Sequence, residues 1–332
     1  MRLESENKRA LITGITGQDG SYLAEQLIAR GYSVHGLLRR TSTFNTARLG
    51  SLYKNTDEDQ LIHLHYLDAS EAIELYKILD EVQPHEIYNL MALSHVAQSF
   101  DQPEYALSVN TLGLLRILEA VRRIGLSARI YQASTSELFG STPPMQNEKS
   151  AMIPLSPYAA AKKCSHDIAR IYREAFGMYV ASGILFNHES PRRSRTFVTR
   201  KISTAVAEIK KGKRKRLTLG NIDARRDWGY APEYTDAMWR MLQLSEPTDM
   251  VIATGVQYSV RDFCSFAFSH AGLDWKEFVT VSEKFKRPLE VESLCGDSTL
   301  ARELIGWKPK ILAPDLAKIM VDADLATDEY VF

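Results

Sequence analysis

The sequence predicts an α/β fold, a doubly wound parallel sheet with a smaller mixed α/β lobe on its C-terminal side. Three observations predict it. The first half alternates short, continuously apolar runs with longer segments of helical spacing, the pattern of strands covered on both faces by crossover helices. A glycine-rich turn, Gly14–Gly20, follows the first of those runs. After about residue 186 the rhythm changes to polar, Arg-rich and Pro-containing stretches (Asn187–Arg200, Asn221–Trp228, Lys284–Leu289) between short helical segments.

The expected strands are Ala10–Thr13, Val34–Leu38, Leu61–Tyr66, Glu86–Leu90, Arg129–Ala133 and Val180–Leu185. The expected helices between them are Gln18–Arg30, Glu71–Val82, Pro103–Ile124 and Ser156–Phe176, with Gly31, Gly125 and Gly177 where three of them should stop. Further on, helices are expected at Thr199–Lys211 and Val260–Ala271, and Glu233–Leu244 is expected to return to the first half. The resulting division is a dinucleotide-binding domain of residues 1–186 plus about 230–252, and a substrate lobe of about 187–229 plus 253–332. Such a lobe belongs over the carboxyl ends of the strands, where ligands bind in these sheets.

The chain of 332 residues balances 41 Lys+Arg against 41 Asp+Glu, so no nucleic-acid partner and no anionic membrane surface is expected. The basic run Lys210–Arg216 reads as a solvated helix end and loop. Three scattered cysteines, Cys164, Cys264 and Cys295, fit neither a disulfide framework nor a zinc cluster, so no metal is expected and a reducing, cytoplasmic setting is. The acidic start lacks the apolar core of a signal peptide, and no apolar run is long enough to cross a bilayer.

The turn carries Gly14, Thr16, Gly17, Gln18, Asp19 and Gly20 in Gly-x-x-Gly-x-x-Gly spacing between a strand and a helix. Glycines there let the backbone approach a pyrophosphate whose charge rests on the helix N-terminus, as in a Rossmann-type dinucleotide site. At the end of the second strand an NAD site would carry an acid; this chain carries Arg39 and Arg40, which suit the 2′-phosphate of NADP. Asp68, just past the third strand, is a candidate adenine contact, with a helix cap as the alternative.

Tyr158 and Lys162 lie at i and i+4 and so share one helix face. A nearby ammonium and a positive nicotinamide ring would favour the phenolate that a base needs. At the end of the fifth strand, Thr135 and Ser136 offer hydroxyls to a sugar, and Glu137 brings a carboxylate to the same point. A carboxylate aimed into a crevice costs desolvation, so it points to chemistry more than to packing.

Together Thr13–Gly20, Ser134–Glu137 and Tyr158–Lys162 resemble the extended short-chain dehydrogenase/reductases. Gly183–Arg193, Phe197–Lys201, Arg226–Gly229, Ile252–Gly255, Arg287–Glu292 and Gly306–Pro309 extend this to a close resemblance to the GDP-mannose 4,6-dehydratase family over essentially the whole chain. The resemblance implies a redox-neutral dehydration. Tyr158 would take the C4 hydroxyl proton as hydride passes to NADP, Glu137 would remove the C5 proton and expel the C6 hydroxyl, and hydride would return to C6. Thr135 would bind the C4 oxygen, Ser136 would align the sugar, and Lys162 would hold the nicotinamide ribose. The resemblance further assigns Leu90, Ser94 and His188 to the cofactor, and Asn187, Val198, Lys201, Arg226, Arg287 and Glu290 to a GDP-sugar. Arg226 and Arg287 suit its diphosphate. It also implies a homodimer or homotetramer, with the loop Arg39–Arg48 reaching a neighbouring subunit.

Leu155, Met91, Leu93, the loop Ser141–Met145 and Ser194–Arg195 depart from the family pattern. These positions are expected to line or approach the sugar pocket, which keeps a GDP-manno-heptose 4,6-dehydratase as an alternative. An epimerase or 4-reductase would need no base at C5, and a non-enzymatic NADP-binding regulator would not need the intact Thr135, Glu137, Tyr158 and Lys162 set.

Overall fold

A computed structural model describes residues 8–39, 46–52, 62–283 and 288–327. Its strands are β1 (Arg9–Thr13), β2 (Ser33–Leu38), β3 (Ile62–Tyr66), β4 (Glu86–Asn89), β5 (Arg129–Ala133), β6 (Val180–Leu185), β7 (Asn187–Glu189), β8 (Leu217–Leu219), β9 (Arg225–Tyr230), β10 (Met250–Ile252), β11 (Gln257–Ser259) and β12 (Val279–Val281). Seven of them form one parallel sheet in the order β10-β6-β5-β4-β1-β2-β3. The order reverses between β1 and β4, which opens a crevice at their carboxyl ends.

Helices cover both faces, as the apolar runs require. On one face Leu23, Ala24 and Leu27 of helix Gln18–Ala29 pack with Tyr234, Met238 and Met241 of helix Ala231–Met241. On the other, Leu75 and Ile78 of helix Ala72–Val82 meet Leu114, Ile117 and Leu118 of helix Gly113–Ile124, with Ala169 of helix Pro157–Phe176. Each such leucine or aromatic, fully buried, contributes about 1.5–3 kcal/mol of transfer free energy. Gly125 and Gly177 end their helices in the left-handed region, at φ of 79° and 63°.

The lobe has its own core. Ile202 and Val206 of helix Val198–Lys210, Phe263 and Phe268 of helix Val260–His270, and Leu316 and Met320 of helix Ala313–Leu325 close around Trp228. Two small sheets accompany it: β11-β9-β7, with one antiparallel and one parallel pairing, and β12-β8. Within the basic run, Lys211 donates to the carbonyl of Asp324 and Arg214 pairs with Glu208 at 3.1 Å, so part of that charge is spent on the fold. No helix among the described residues is long and apolar enough to cross a membrane.

Within the main sheet and its crossover segments, the following differ from the sequence expectation. The stretch expected as one helix, Pro103–Ile124, is broken: a short helix Pro103–Leu107 passes through a π turn, Ser108–Leu112, before Gly113. The π turn is held from outside, because Ser165 Oγ donates to the carbonyl of Asn110, and the Asn110 amide exchanges hydrogen bonds with the backbone of Leu93. Helix Val96–Asp101 was not expected; its cap is His95 rather than a small polar residue. Strand β10, only three residues long, joins the sheet edge beside β6.

Candidate active site

A cleft of about 610 Å³ opens at the carboxyl ends of β1, β4, β5 and β6 and is roofed by the lobe. Its floor begins at the glycine turn. Gly14 sits at φ 69°, a conformation side chains disfavour, and a Cβ on Gly20 would lie 2.4 Å from the Gly14 carbonyl oxygen. Only glycines allow so tight an approach at the start of helix Gln18–Ala29.

A buried polar chain crosses the sheet beneath this floor. Thr13 Oγ1 accepts from the backbone N–H groups of Leu90 and Met91, each at 3.0 Å, so its proton goes to Asn89 Oδ1 at 2.8 Å. That orients both amides: Asn89 Nδ2 donates to Gln132 Oε1 at 2.7 Å, and Gln132 Nε2 to the Ala133 carbonyl at 3.0 Å. Lys162 Nζ donates to the same carbonyl at 2.9 Å. The glycine turn, the Leu90 wall and the lysine are thus joined in one network.

Past β5, Thr135 is extended and caps the one-turn segment Ser136–Leu138, accepting from the Glu137 N–H at 3.3 Å. This turn brings Thr135, Ser136 and Glu137 to the cleft wall beside Tyr158 and Lys162. Helix Pro157–Phe176 carries the latter two; Ser156 caps it and Pro157 occupies its first turn. Burial pushes the Tyr158 phenol up to about 12, the Thr135 hydrogen bond pulls it down, and the Glu137 charge adds to the rise. Burial holds Lys162 down to about 8. Lys162 is engaged with the Ala133 carbonyl, and burial is the largest influence on the phenol.

Asp19 and His188 join the glycine turn to β7. His188 Nε2 lies 2.8 Å from Asp19 Oδ2, and Nδ1 lies 2.7 Å from the Phe186 carbonyl. Both ring nitrogens face acceptors, so the ring carries both protons and is cationic. Burial disfavours that charge, but the Asp19 carboxylate overcomes it and raises the His188 pKa; burial likewise opposes the Asp19 charge, and His188 brings it below the ordinary value. The ring stacks on Tyr234, with centroids 4.6 Å apart. Gln18 completes the junction by donating to the His188 carbonyl at 3.1 Å and accepting from Ser190 at 2.8 Å.

In the lobe, Asn187, Val198, Lys201, Arg226 and Glu290 all reach the cleft. Arg226 pairs with Glu290 at 3.3 Å, not with its neighbour Asp227, whose carboxylate instead accepts from the backbone of Thr254, Gly255 and Gly296. Asn187 Oδ1 is buried without a hydrogen-bond partner among the described residues.

The structure therefore brings Thr135, Ser136, Glu137, Tyr158, Lys162, Asp19, Leu90, Ser94 and His188 to one cleft with the five lobe residues. Gly14, Thr16, Gly17 and Gly20 form the turn below it. Arg39, at the end of β2, donates to Tyr105 Oη at 3.0 Å on the surface. Asp68 lies apart from the cleft lining: its Oδ1 accepts from the N–H and hydroxyl of Ser70, hydrogen bonds that hold its pKa below the ordinary value. Arg40 and Arg287 lie outside the described residues, as does most of the loop Arg39–Arg48. None of the departures from the family pattern is itself in the cleft lining, but Met91 and Leu93 alternate with the lining residues Leu90, Ala92 and Ser94. Leu155 packs against the cluster of Phe139, Phe186 and Leu294, and Arg195 pairs with Glu208 on the surface.

Ser134 and Arg193 are among the cleft residues that the sequence did not single out. Ser134 Oγ is buried without a partner among the described residues. Arg193 stacks 3.6 Å over Phe197, lies 3.1 Å from Glu189, and acts electrostatically on Asp19 and Tyr158. Only its place in an Arg-rich stretch could have flagged it.

The family model for GDP-mannose 4,6 dehydratase matches residues 11–320. GDP-mannose 4,6 dehydratase 1 of Arabidopsis thaliana is 51% identical over 324 residues, covering 96% of this chain and 90% of its own. RMD from Pseudomonas aeruginosa, solved with NADPH, superposes with a TM-score of 0.78 at 21% identity over 96% of this chain and 98% of that one. DesIV, a dTDP-glucose 4,6-dehydratase from Streptomyces venezuelae solved with NAD and TYD, gives 0.82 at 23% identity over 95% and 96%. At these identities the solved structures speak to the fold alone.

Proposed function

We infer, from membership of the GDP-mannose 4,6-dehydratase family to which this chain belongs, that the cleft dehydrates GDP-mannose to GDP-4-keto-6-deoxymannose with a nicotinamide cofactor. The observation that carries the reading is a carboxylate, Glu137, on the same cleft wall as Tyr158 and Lys162. Epimerases and reductases need the phenol and the lysine but no base at C5.

A dinucleotide suits the residues present: the Gly14–Gly20 approach leaves no room for a Cβ where the backbone must meet a pyrophosphate. Gly14, Thr16, Gly17, Gln18, Asp19 and Gly20 would hold it with Leu90, Ser94, Lys162 and His188. We take it to be NADP, because Arg39 stands at the end of β2 where an NAD site carries an acid. When bound, the nicotinamide supplies the hydride chemistry, accepting from C4 and returning to C6.

Tyr158 takes the C4 hydroxyl proton, and Thr135 donates to the C4 oxygen as its charge changes. The 4-ketone acidifies the C5 proton, which Glu137 removes. The proton then on Glu137 goes to the departing C6 hydroxyl, so one water leaves; as hydride returns to C6, C5 takes a proton from solvent, and the proton that Tyr158 took is released to solvent. Ser136 aligns the hexose. Asn187 Oδ1, a buried acceptor without a protein partner among the described residues, is suited to a ligand donor. Val198 and Lys201 border the nucleotide-sugar, Arg226 and Arg287 bind the diphosphate, and Glu290 meets the guanosine. The division into a Rossmann-type half (1–186 plus about 230–252) and a sugar-nucleotide lobe belongs to this reading, supported by the pairing of β10 with β6.

We assign a homodimer or homotetramer on the exposed Tyr105, Leu107 and Leu112, which an assembly would cover; light scattering of the purified chain tests it, a monomer contradicting it. Incubation with GDP-mannose, followed by mass spectrometry, tests the reaction. Loss of one water with no net oxidation of the cofactor supports it, and an unchanged sugar overturns it. GDP-manno-heptose is the comparison substrate: with no departure in the cleft lining, it should turn over no better than GDP-mannose. The cofactor released on denaturation should be NADP; NAD in its place would overturn that assignment.

A further inference from the structure

We infer that Ser99 is a positioning residue for Tyr158, its hydroxyl capping the first turn of the catalytic helix from a different helix that walls the cleft. The inference rests on the reading of Tyr158 as the base.

The first N–H groups of a helix lack partners within it. In helix Pro157–Phe176, Pro157 has no N–H, and the Ser156 hydroxyl accepts from Ala159 at 3.1 Å. That leaves the N–H of Tyr158 itself, which donates to Ser99 Oγ at 3.1 Å across 59 residues of sequence. Ser99 is fully buried. Its own proton goes to the Val96 carbonyl at 2.6 Å, which turns an oxygen lone pair toward Tyr158.

The helix that carries Ser99, Val96–Asp101, is itself a built feature. His95 Nδ1 accepts from the Gln98 N–H at 3.1 Å and caps it, and the Ser99 N–H bonds back to the His95 carbonyl. Val96, Ala97, Phe100 and Asp101 from the same six residues line the cleft. The element that borders the ligand therefore also holds the backbone of the phenol.

Without the Ser99 hydroxyl, the Tyr158 N–H is buried without an acceptor, and the first turn must move to satisfy it. The phenol then moves relative to Thr135, whose hydrogen bond favours the ionised form. A purely structural hydroxyl would cost stability alone. A positioning hydroxyl also costs turnover, and it shifts the pH at which turnover appears.

The experiment uses the full-length Ser99→Ala enzyme with GDP-mannose. The expected result is a kcat lower by about tenfold with KM changed less than about twofold. Bound cofactor should match wild type, and the acid limb of the kcat/KM–pH profile, which reports the free enzyme where Thr135 bonds the phenol, should move to higher pH. Ser259→Ala, which removes the N-cap of helix Val260–His270, should lower Tm while leaving kcat and the limb in place. If Ser99→Ala does not fold, Ser99→Cys decides: a similar volume with a weaker acceptor should give an intermediate kcat and the same direction of limb shift. Wild-type kcat and limb in the variant that folds overturn the inference. Tyr158→Phe runs beside them. An active Tyr158→Phe overturns the base assignment, whereas an inactive one beside a normal Ser99→Ala overturns only the role of Ser99.

Discussion

The sheet side and the lobe side of the cleft hold their functional groups by different means. On the sheet side each group proposed to react or to hold the cofactor follows directly from a strand end or a helix start: Thr135 and Glu137 from β5, Tyr158 and Lys162 from the capped helix after it, Gly14–Gly20 from β1. Hydrogen bonds that pin backbone groups, with the Thr13–Asn89–Gln132 chain beneath, set their positions. On the lobe side the groups come from separate short pieces, and side-chain contacts such as Arg226 with Glu290 or Arg193 with Phe197 hold them. Groups fixed by backbone suit bond-making, which tolerates little displacement, whereas long paired side chains suit recognition of a diphosphate and base. Substitutions on the sheet side should therefore act on kcat, and those on the lobe side on KM.

The largest effect should come from Tyr158→Phe, which on the proposed reading removes the acceptor for the C4 proton: a kcat loss of about 10²–10⁴-fold with the nucleotide-sugar still bound, read by steady-state kinetics and equilibrium binding. A wild-type kcat would break the contrast between the two sides. Gly20→Ala forces a Cβ to 2.4 Å from the Gly14 carbonyl, so the turn must open. Co-purified cofactor should disappear, and kcat/KM should fall by on the order of 100-fold. Arg226→Lys keeps the charge and loses the planar fork, so KM for GDP-mannose should rise about tenfold while kcat holds. A kcat effect larger than the KM effect would move Arg226 to the chemical side of the comparison.

The smallest effect concerns the junction between the two sides. The raised His188 pKa means its contribution is present below the ordinary histidine value and is lost as pH rises through the raised one. The lowered Asp19 pKa means its contribution is present above the ordinary carboxyl value and is lost as pH falls through the lowered one. The Tm gap between wild type and His188→Gln should thus be widest between those limits, on the order of a few degrees. It should shrink as pH climbs past the histidine limit, and a gap that grows there would refute the pair.

The same division explains what could be read from the sequence. Continuous apolar runs and a glycine turn foretold the sheet, because strands buried on both faces admit few polar residues. Tyr158, Lys162 and Glu137 were legible because each lies at a fixed offset from such an element. Helix Val96–Asp101 was not, since a histidine cap and a six-residue length give no periodic signal. Nor was the π turn at Ser108–Leu112, which depends on Ser165 and Asn110 meeting in space. Leu155 sits one step back from the cleft for a related reason: proximity in sequence to Ser156 says nothing about which way the chain turns, and Leu155 turns into the Phe139–Phe186 cluster behind the cleft-lining Phe186.

The central claim is that one carboxylate converts an oxidation into a dehydration. Glu137→Gln, incubated with GDP-mannose in D2O and followed by mass spectrometry of the sugar nucleotide, tests it most directly. Wild type should yield a product lighter by one water that carries solvent deuterium at C5, while Glu137→Gln should bind cofactor and substrate yet give neither the mass loss nor the label. Dehydrated, deuterated product from Glu137→Gln at the wild-type rate would contradict the account.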